Sequence, residues 1–192
     1  MTLHAPAPTN AEALFRRYAV FVASFLHRLG ARPDEIDDLV QDVFLTVHRK
    51  GGYRPGAASA TTFLARIALE ARQGKRRKDS RWRASLRSDA ASAIVGSHAV
   101  DPGQALVAKR AAQRLELALS SMDPDHRAVF ILFELHGESC ESIAAGLDIK
   151  IGTVYSRLHA ARRAFRAAAA KGMPEDGKED EGVPVFRGRR TA

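Results

Sequence analysis

Apolar residues recur at steps of three and four along most of the chain, the spacing that places them on one face of an α-helix. The first such stripe consists of Leu14, Tyr18, Phe21, Val22, Phe25 and Leu29. Asn10 is a suitable N-cap because its side chain can accept a free backbone N–H, and Gly30 is a suitable end. The pattern therefore predicts a first helix over about 11–29.

A second helix is predicted over 33–50, since Pro33 fits the first helical position and carboxylates crowd the first turns, where the helix dipole favours anions. Its apolar stripe consists of Ile36, Leu39, Val40, Val43, Phe44 and Val47. A neighbouring acidic stripe consists of Asp34, Asp38, Gln41, Asp42 and Leu45. It is open to interpretation as a solvated face, a carboxylate metal site or a protein-docking face. The metal interpretation is the weakest, because no Glu-x-x-His pattern accompanies it.

A loop rich in Gly, Pro and small residues is predicted over 51–61, where Tyr53 and Arg54 offer a ring and a cation. A third helix follows from about Thr62 and ends in a basic run made of Arg72, Lys75, Arg76, Arg77 and Lys78. An aromatic loop beside a basic helix suits single-stranded nucleic acid, because bases stack on rings and cations neutralise phosphates. The alternative is a solvated basic helix end, which the helix dipole also favours.

The fold class predicted is all-α, with two small helical domains joined by a flexible linker, because no strand pattern is sustained. The linker is predicted over 79–103, where Ser, Ala and scattered charges show no period. An Asp-Pro pair opens each of two further helices, at 101–102 and 123–124. The later helix is apolar nearly all round and should form the buried spine of the second domain. The ends, 1–9 and 171–192, are predicted to be disordered.

Residues 139–166 are predicted to form two helices joined by a tight turn, which is the organisation of a helix-turn-helix. The first covers about 140–145, with Ser139 as its N-cap. Gly146 is expected to supply the backbone freedom of the turn. The second covers about 151–170.

The second of these helices has two chemically different sides. Its apolar side consists of Ile151, Val154, Leu158, Ala161 and Phe165. Its other faces carry Thr153, Tyr155, Ser156, Arg157, His159, Arg162, Arg163 and Arg166, and no carboxylate. Hydroxyls and cations on an exposed helix are typical of a helix that reads the DNA major groove. The alternative is a basic surface helix of an ordinary bundle.

The composition narrows the classes of partner and chemistry. The chain has 30 Lys and Arg against 22 Asp and Glu, a net charge of +8, which favours nucleic acid as a partner. No apolar run reaches the length of about 20 residues that spans a bilayer, and no signal peptide is evident. The single cysteine, Cys140, fits a cytoplasmic location. No catalytic motif or metal-ligand pattern is found, so no enzyme activity, cofactor, metal or small-molecule substrate is predicted.

Two stretches at the right separation resemble bacterial sigma factors of the extracytoplasmic-function (ECF, group 4) class of the sigma-70 family. The sequence PDEIDDLVQDVFLTV at 33–47 resembles their polymerase-docking helix, and TTFLARIALEAR at 61–72 resembles their promoter-melting helix. The stretches 123–135 and 143–163 are similar to their second, −35-reading domain. The resemblance implies a sigma-2-like domain over 10–78 and a sigma-4-like domain over 104–170.

The resemblance also implies partners and contact residues. RNA polymerase core would be bound through its β′ clamp helices and β flap, promoter DNA would be the second partner, and an anti-sigma factor is common in the family. The docking residues implied are Asp38, Leu39, Gln41, Asp42 and Phe44. The −10 residues implied are Tyr53, Arg54, Thr62, Phe63, Arg66, Glu70, Arg72, Lys75, Arg76 and Arg77. The −35 residues implied are Gly152, Thr153, Tyr155, Ser156, Arg157, His159, Arg162 and Arg163.

The chain departs from the family pattern at several of these positions. The melting helix usually has Trp in place of Phe63 and Asn in place of Glu70, and the Glu70 carboxylate puts a negative charge near DNA. The recognition helix often has a cation in place of Tyr155 and of Ala160. These changes are expected to alter the preferred bases. The function predicted is recruitment of RNA polymerase core to promoters and their opening; the alternative is a stand-alone helix-turn-helix regulator with an N-terminal dimerisation or sensor module.

Overall fold

The computed structural model describes residues 8–85 and 112–171 of the chain. Within these ranges the chain is helical apart from turns and one antiparallel pair of extended residues, Thr9 and Tyr53. The predicted disordered ends and most of the predicted linker lie outside the described residues. Helices are numbered α1 to α7 in chain order.

The first domain consists of three helices around an apolar core. These are α1 (Ala11–Arg28), α2 (Ile36–Arg49), which follows a 3₁₀ turn at Pro33–Glu35, and α3 (Ala60–Ser85). Asn10 caps α1 as predicted, because its Oδ1 accepts a hydrogen bond of 2.8 Å from the backbone N–H of Ala13. Fully buried side chains from all three helices meet in the core: Leu14, Val22, Phe25, Leu26, Leu39, Val43, Val47 and Leu64.

Helix α3 is longer at both ends than the sequence pattern predicts. It begins at Ala60 and continues to Ser85, so residues 79–85, predicted as linker, are helical. Residues 75–85 contain no Gly or Pro and are rich in Lys and Arg. Because these are good helix formers, nothing local stops the helix at residue 78.

Over residues 112–171 the second domain contains four helical segments. Helix α4 is described over 112–120, and α5 (Pro124–Phe130) continues directly into a π-helical turn at Ile131–Leu135. Helix α6 (Cys140–Leu147) and helix α7 (Ile151–Lys171) form the helix-turn-helix. The predicted spine is buried over Ala128, Val129, Phe130, Ile131 and Leu132, whereas Leu135 at its end is 39% exposed. The buried residues pack with Ile143 of α6 and with Val154, Leu158 and Ala161 of α7.

The turn between α6 and α7 differs from the prediction. Ser139 caps α6 as expected, since its hydroxyl accepts a hydrogen bond of 3.1 Å from the N–H of Ser142. Gly146, however, lies inside the helix, and the turn residue with a left-handed backbone is Asp148, at φ 56°. Asp tolerates this conformation better than most residues. The turn therefore does not depend on the backbone freedom of Gly146. Gly146 is instead buried by a contact outside the turn.

The two domains pack directly against each other, with α6 of the second domain against α3 of the first. An ideal Cβ built on Gly146 would lie 2.3 Å from the Cβ of Thr62, so only glycine permits this approach of the two helices. At a second contact the rings of Phe21 on α1 and His136 meet edge to face, with centroids 4.8 Å apart. A continuous group of buried side chains runs through both domains.

Candidate polymerase and nucleic-acid interfaces

The acidic stripe lies on the exposed face of α2. Asp38, Gln41 and Asp42 are exposed, and Leu45 at the end of the stripe is 44% exposed. The Asp38 carboxylate also accepts from the Lys75 ammonium of α3 at 3.2 Å. This pair is solvated, so it leaves the stripe accessible and contributes little to stability.

The other two predicted docking residues lie beneath this face. Leu39 is fully buried and Phe44 is 7% exposed. Phe44 packs edge to face against Phe15, with ring centroids 5.0 Å apart. The buried side chains of Leu39 and Phe44 therefore pack α2 against the core of the first domain. The exposed Asp38, Gln41 and Asp42 are available to a partner.

The loop between α2 and α3 is fixed by its aromatic residue. The Tyr53 N–H donates to the Thr9 carbonyl at 2.9 Å, and the Thr9 N–H donates to the Tyr53 carbonyl at 2.8 Å. The Tyr53 hydroxyl donates to the Ala58 carbonyl at 2.7 Å, and burial raises the pKa of that hydroxyl. The ring lies 5.5 Å from that of Phe63. Arg54 is exposed at the loop surface.

The predicted melting face of α3 is partly covered by the second domain. Thr62 is fully buried, and its hydroxyl lies 3.3 Å from that of Ser142 on α6. Arg66 pairs with Glu70 one turn away at 3.0 Å and with Asp148 at 3.4 Å. The charge of Glu70, unexpected beside DNA, is therefore offset by Arg66. Further along α3, Arg76 and Arg77 are exposed.

Arg72 and Arg127 form a buried pair of guanidinium groups where the domains meet. Arg72 donates to the Gly30 carbonyl at 3.3 Å. Arg127 of α5 donates to the Arg28 carbonyl at 3.4 Å and to the carbonyls of Ser120 and Met122 at 3.0 and 2.9 Å.

Burial lowers the pKa of both guanidinium groups, and the charges of Arg76 and Arg127 lower the pKa of Arg72 further. Among the described residues, neither Nε atom has a hydrogen-bond partner. The carbonyls at the end of α1 form the negative end of a helix dipole, which explains why two cations collect there.

The recognition helix α7 presents the predicted polar face to solvent. Gly152, Tyr155, Ser156, His159 and Arg163 are exposed, and Thr153 is partly exposed. No carboxylate lies on this helix. The surface is therefore compatible with an anionic duplex along its length.

Two predicted −35 residues form ion pairs with α5 and with the π-helical turn that follows it. Arg157 donates to the Asp125 carboxylate at 2.5 Å. Arg162 donates to Glu134 at 2.7 Å and lies over the ring of Phe133, 5.2 Å from its centroid. Each guanidinium has five N–H donors, so each retains donors beyond the one that these bonds use.

Sequence reasoning missed the residues that join the domains. Ser59, Ser142 and Asp148 carry no local signal, because their partners are distant in the chain. Arg127 carries a weak one, since it directly precedes the apolar run at 128–133. A buried polar side chain needs partners, and that requirement points to a contact beyond its own helix.

Comparison with known families identifies both domains. The family model described as Sigma-70 region 2 matches residues 14–82, and the model described as Sigma-70, region 4 matches residues 112–165. The chain belongs to the sigma-70 family. The first match contains the acidic helix α2 and most of α3, and the second contains the helix-turn-helix, so both halves of the predicted resemblance are confirmed.

Individual relatives place this sigma factor in the ECF class. It is 30% identical to the ECF RNA polymerase sigma factor SigE of Mycolicibacterium smegmatis, over 85% of this chain and 63% of that protein. It is 31% identical to the RNA polymerase sigma factor CarQ of Myxococcus xanthus, over 77% and 82%. It is 30% identical to the ECF RNA polymerase sigma-E factor of Escherichia coli K12, over 78% and 81%.

Solved structures share the fold of this sigma factor. The sigma factor RpoE from Bartonella quintana, in complex with the anti-sigma factor NepR, superposes with a TM-score of 0.64 at 23% identity, over 84% of this chain and 98% of that chain. CnrH in complex with the cytosolic domain of CnrY superposes with a TM-score of 0.57 at 21% identity, over 85% and 89%. The predicted all-α class with two helical domains is confirmed.

The predicted function is confirmed at the level of the family: an ECF sigma factor directs RNA polymerase to promoters, and the stand-alone regulator is not favoured. Sigma factors are in general not enzymes. Within the described part of the chain, no helix is long and apolar enough to cross a membrane, and no group of three or more His, Cys, Asp or Glu could hold a metal.

Proposed function

We propose that this sigma factor binds RNA polymerase core through the exposed acidic stripe of α2, against the β′ clamp helices. Asp38, Gln41 and Asp42 supply charge and polarity, and Leu45 supplies an apolar end. Leu39 and Phe44 are buried and fix the position of α2 on the core of the first domain. The second domain would bind the β flap, so that the two domains are held at separate points of the enzyme.

The −10 element would be handled by the loop at 51–61 and by α3. Tyr53 and Phe63 form an aromatic pair on which an unstacked base can stack, and Arg54 lies beside them. Thr62, Arg66, Arg72, Lys75, Arg76 and Arg77 would line the melted strand. The cost of unpairing a base is a few kcal/mol, which base capture and phosphate contacts would repay. Glu70 would act through Arg66, which it orients.

The −35 element would be read by α7 in the major groove. Gly152, Thr153, Tyr155, Ser156, His159 and Arg162 would face the bases, and Arg157 and Arg163 the phosphates. A good contact to a base edge discriminates by about 1–3 kcal/mol. The pairs Arg157–Asp125 and Arg162–Glu134 hold α7 against α5 and against the π-helical turn that follows it, and so would set the angle at which α7 enters the groove.

One observation supports this assignment above all: a single chain carries an exposed acidic helix, α2, and an exposed recognition helix without carboxylates, α7. One face suits a protein partner and the other suits DNA. The proposal includes a cytoplasmic location, no catalysed reaction, no cofactor and no small-molecule substrate. It also includes an anti-sigma factor as a third partner, since the similar sigma factor RpoE was solved in complex with the anti-sigma factor NepR.

Run-off transcription from a genomic promoter library, with purified core polymerase in the presence and absence of the protein, tests the proposal. We expect a defined set of transcripts only when the protein is present. The double substitution Asp38→Arg and Asp42→Arg should abolish these transcripts and co-purification with core, because it reverses the charge of the docking face. Both positions are exposed, so circular dichroism should stay unchanged; co-purification at the wild-type level would refute the docking assignment.

A further inference from the structure

We propose that the basic end of α2 is a phosphate-binding site for the single strand whose base the following loop captures. The site, called the basic cluster, consists of His48, Arg49 and Lys50, none of which belongs to the contact residues assigned above. The inference rests on the proposed function, which assigns the loop at 51–61 to the −10 element. It adds contacts to the sugar-phosphate backbone of the strand to the stacking of its base.

The side chains of the basic cluster are exposed and unpaired. In the part of the chain that the structure describes, none of the three forms a side-chain hydrogen bond or an ion pair. Other cations of the first domain differ, since Arg16 pairs with Glu12 at 2.6 Å and Lys75 pairs with Asp38 at 3.2 Å. The charge of the basic cluster is therefore available to an anionic partner.

The exposed face of α2 changes sign along its length. Arg49 follows Asp42 by seven residues, so it lies on the same face about two turns, or about 10 Å, further along the helix. No carboxylate occurs in the sequence between Asp42 and Glu70. The helix dipole favours cations in the last turn of a helix, but it does not account for Arg54, an exposed cation that lies beyond α2. The start of α2 therefore suits a different partner from its end.

The basic cluster directly precedes the segment that holds the aromatic pair of Tyr53 and Phe63. Gly51 and Gly52 have positive φ, of 77° and 90°, and turn the chain sharply out of α2. Tyr53 follows Lys50 by three residues, so their Cα atoms are at most about 11 Å apart. The phosphates of one stacked strand are spaced by about 3.4 Å along its axis, so this distance spans about three of them. The basic cluster therefore lies within reach of the phosphates beside a base that stacks on Tyr53.

Two features favour a single strand over an acidic protein segment as the partner. Arg54 directly follows Tyr53, so cations precede and follow the ring in the chain, as phosphates precede and follow a nucleotide. The backbone at the ring is also fixed, because Tyr53 and Thr9 exchange two hydrogen bonds. An aromatic ring beside cations is the combination that binds single-stranded nucleic acid without sequence preference. The basic cluster would therefore contribute affinity and position, and the bases would be selected elsewhere.

The salt dependence of DNA binding tests the inference. The probe is a labelled single-stranded DNA of mixed sequence, bound by the full-length protein. Each phosphate that a protein neutralises on a single strand contributes about 0.7 to the slope of log affinity against log salt. Arg49→Gln with Lys50→Gln removes two such contacts and should reduce the slope by about 1.4. Arg49→Lys with Lys50→Arg keeps both charges and should match wild type.

The matched control removes the same number of charges elsewhere. Arg32→Gln with Arg114→Gln replaces two exposed cations, one just before α2 and the other on α4. Arg32 lies at the opposite end of α2 from the basic cluster, and 14 helical residues separate the two ends by about 20 Å. The control should keep the wild-type slope. An equal reduction in both proteins would show that only net charge matters, and would overturn the inference.

Run-off transcription distinguishes the basic cluster from the proposed function. Arg49→Glu with Lys50→Glu should lower the yield of transcripts while co-purification with core polymerase stays at the wild-type level. Loss of core polymerase from this protein would assign the basic cluster to a protein contact and overturn the inference, as would an unchanged salt slope for Arg49→Gln with Lys50→Gln. If wild type directs no transcript but the slope changes as expected, the sigma assignment fails and the phosphate site is supported.

Discussion

At the scale of single residues, Tyr155 is the exposed side chain of α7 that departs most from its family pattern. It is 54% exposed on the predicted DNA-facing side. Tyr155→Arg should change the preferred −35 bases, because a phenol offers one donor or acceptor and a guanidinium binds guanine through two bonds. A randomised −35 promoter library transcribed with both proteins measures the preference. An identical consensus would show that Tyr155 does not read a base.

The charge state of His136 bears on the packing of the two domains. Partial burial lowers the pKa of its imidazole, the positive charge of Arg28 lowers it further, and Glu138 acts in the opposite direction. The packed domains therefore favour neutral His136 against the ring of Phe21. If the domains separate, the imidazole should titrate near its ordinary value of about 6.5. The contact between the domains is then unopposed above that pH, and it weakens as pH falls from about 6.5 through the lower pKa of His136 in the packed domains.

Energy transfer between labels on the two domains measures this effect. We expect the separation of the domains to grow as pH falls below about 6.5 in wild type. The His136→Gln variant, which stays neutral, should show a smaller change. If both proteins respond alike, another group governs the pH dependence.

At the scale of elements, the loop before α3 depends on a segment that precedes α1. The two backbone hydrogen bonds between Thr9 and Tyr53 require a close approach at Gly52, where an added Cβ would lie 2.3 Å from the Thr9 carbonyl oxygen. The N-terminal segment therefore positions the Tyr53 ring beside Phe63. This dependence is not visible in the sequence pattern of the loop itself.

Gly52→Ala should break this pair of hydrogen bonds and loosen the loop. Gly51→Ala is the matched control, because Gly51 also has a positive φ, of 77°, but an added Cβ there has no neighbour within 4 Å. Both variants should lose about 1–2 kcal/mol of unfolding free energy from backbone strain, and Gly52→Ala should lose more. Urea denaturation measures that difference, and faster hydrogen exchange at the Tyr53 N–H should be confined to Gly52→Ala. Equal exchange in the two variants would contradict the role given to Thr9.

The helices themselves follow from local rules. Asn10, Ser139 and the Asp123–Pro124 pair mark helix starts because capping is a local event, and the apolar periodicity marks the buried faces. Gly146 shows where local rules stop. A glycine near a turn suggests a need for backbone freedom. Gly146 instead has no room for a side chain, because it packs against Thr62, which is distant in the sequence. No periodicity or cap signal encodes a contact of that kind.

At the scale of the whole molecule, the sequence predicts the two domains and their partners better than it predicts their arrangement. Leu39 and Thr62 were predicted as contact residues, and both are fully buried. Leu39 is covered by side chains of its own domain, whereas Thr62 is covered by α6 of the second domain. The family resemblance predicts which surfaces contact partners, whereas the packing between the domains determines which of those surfaces are exposed in this structure.

The burial of Arg72 and the pairing of Arg66 have a consequence for the search along the genome. A chain of net charge +8 is attracted to any DNA, and a genome offers about 10⁶–10⁹ non-specific sites. Each phosphate contact adds about 0.9 to the slope of log affinity against log salt on duplex DNA. Two cations engaged by groups of the protein itself would lower this slope by about 2. Chromosomal DNA would then bind a smaller fraction of the free sigma factor. A larger fraction would be available to core polymerase that carries no sigma factor.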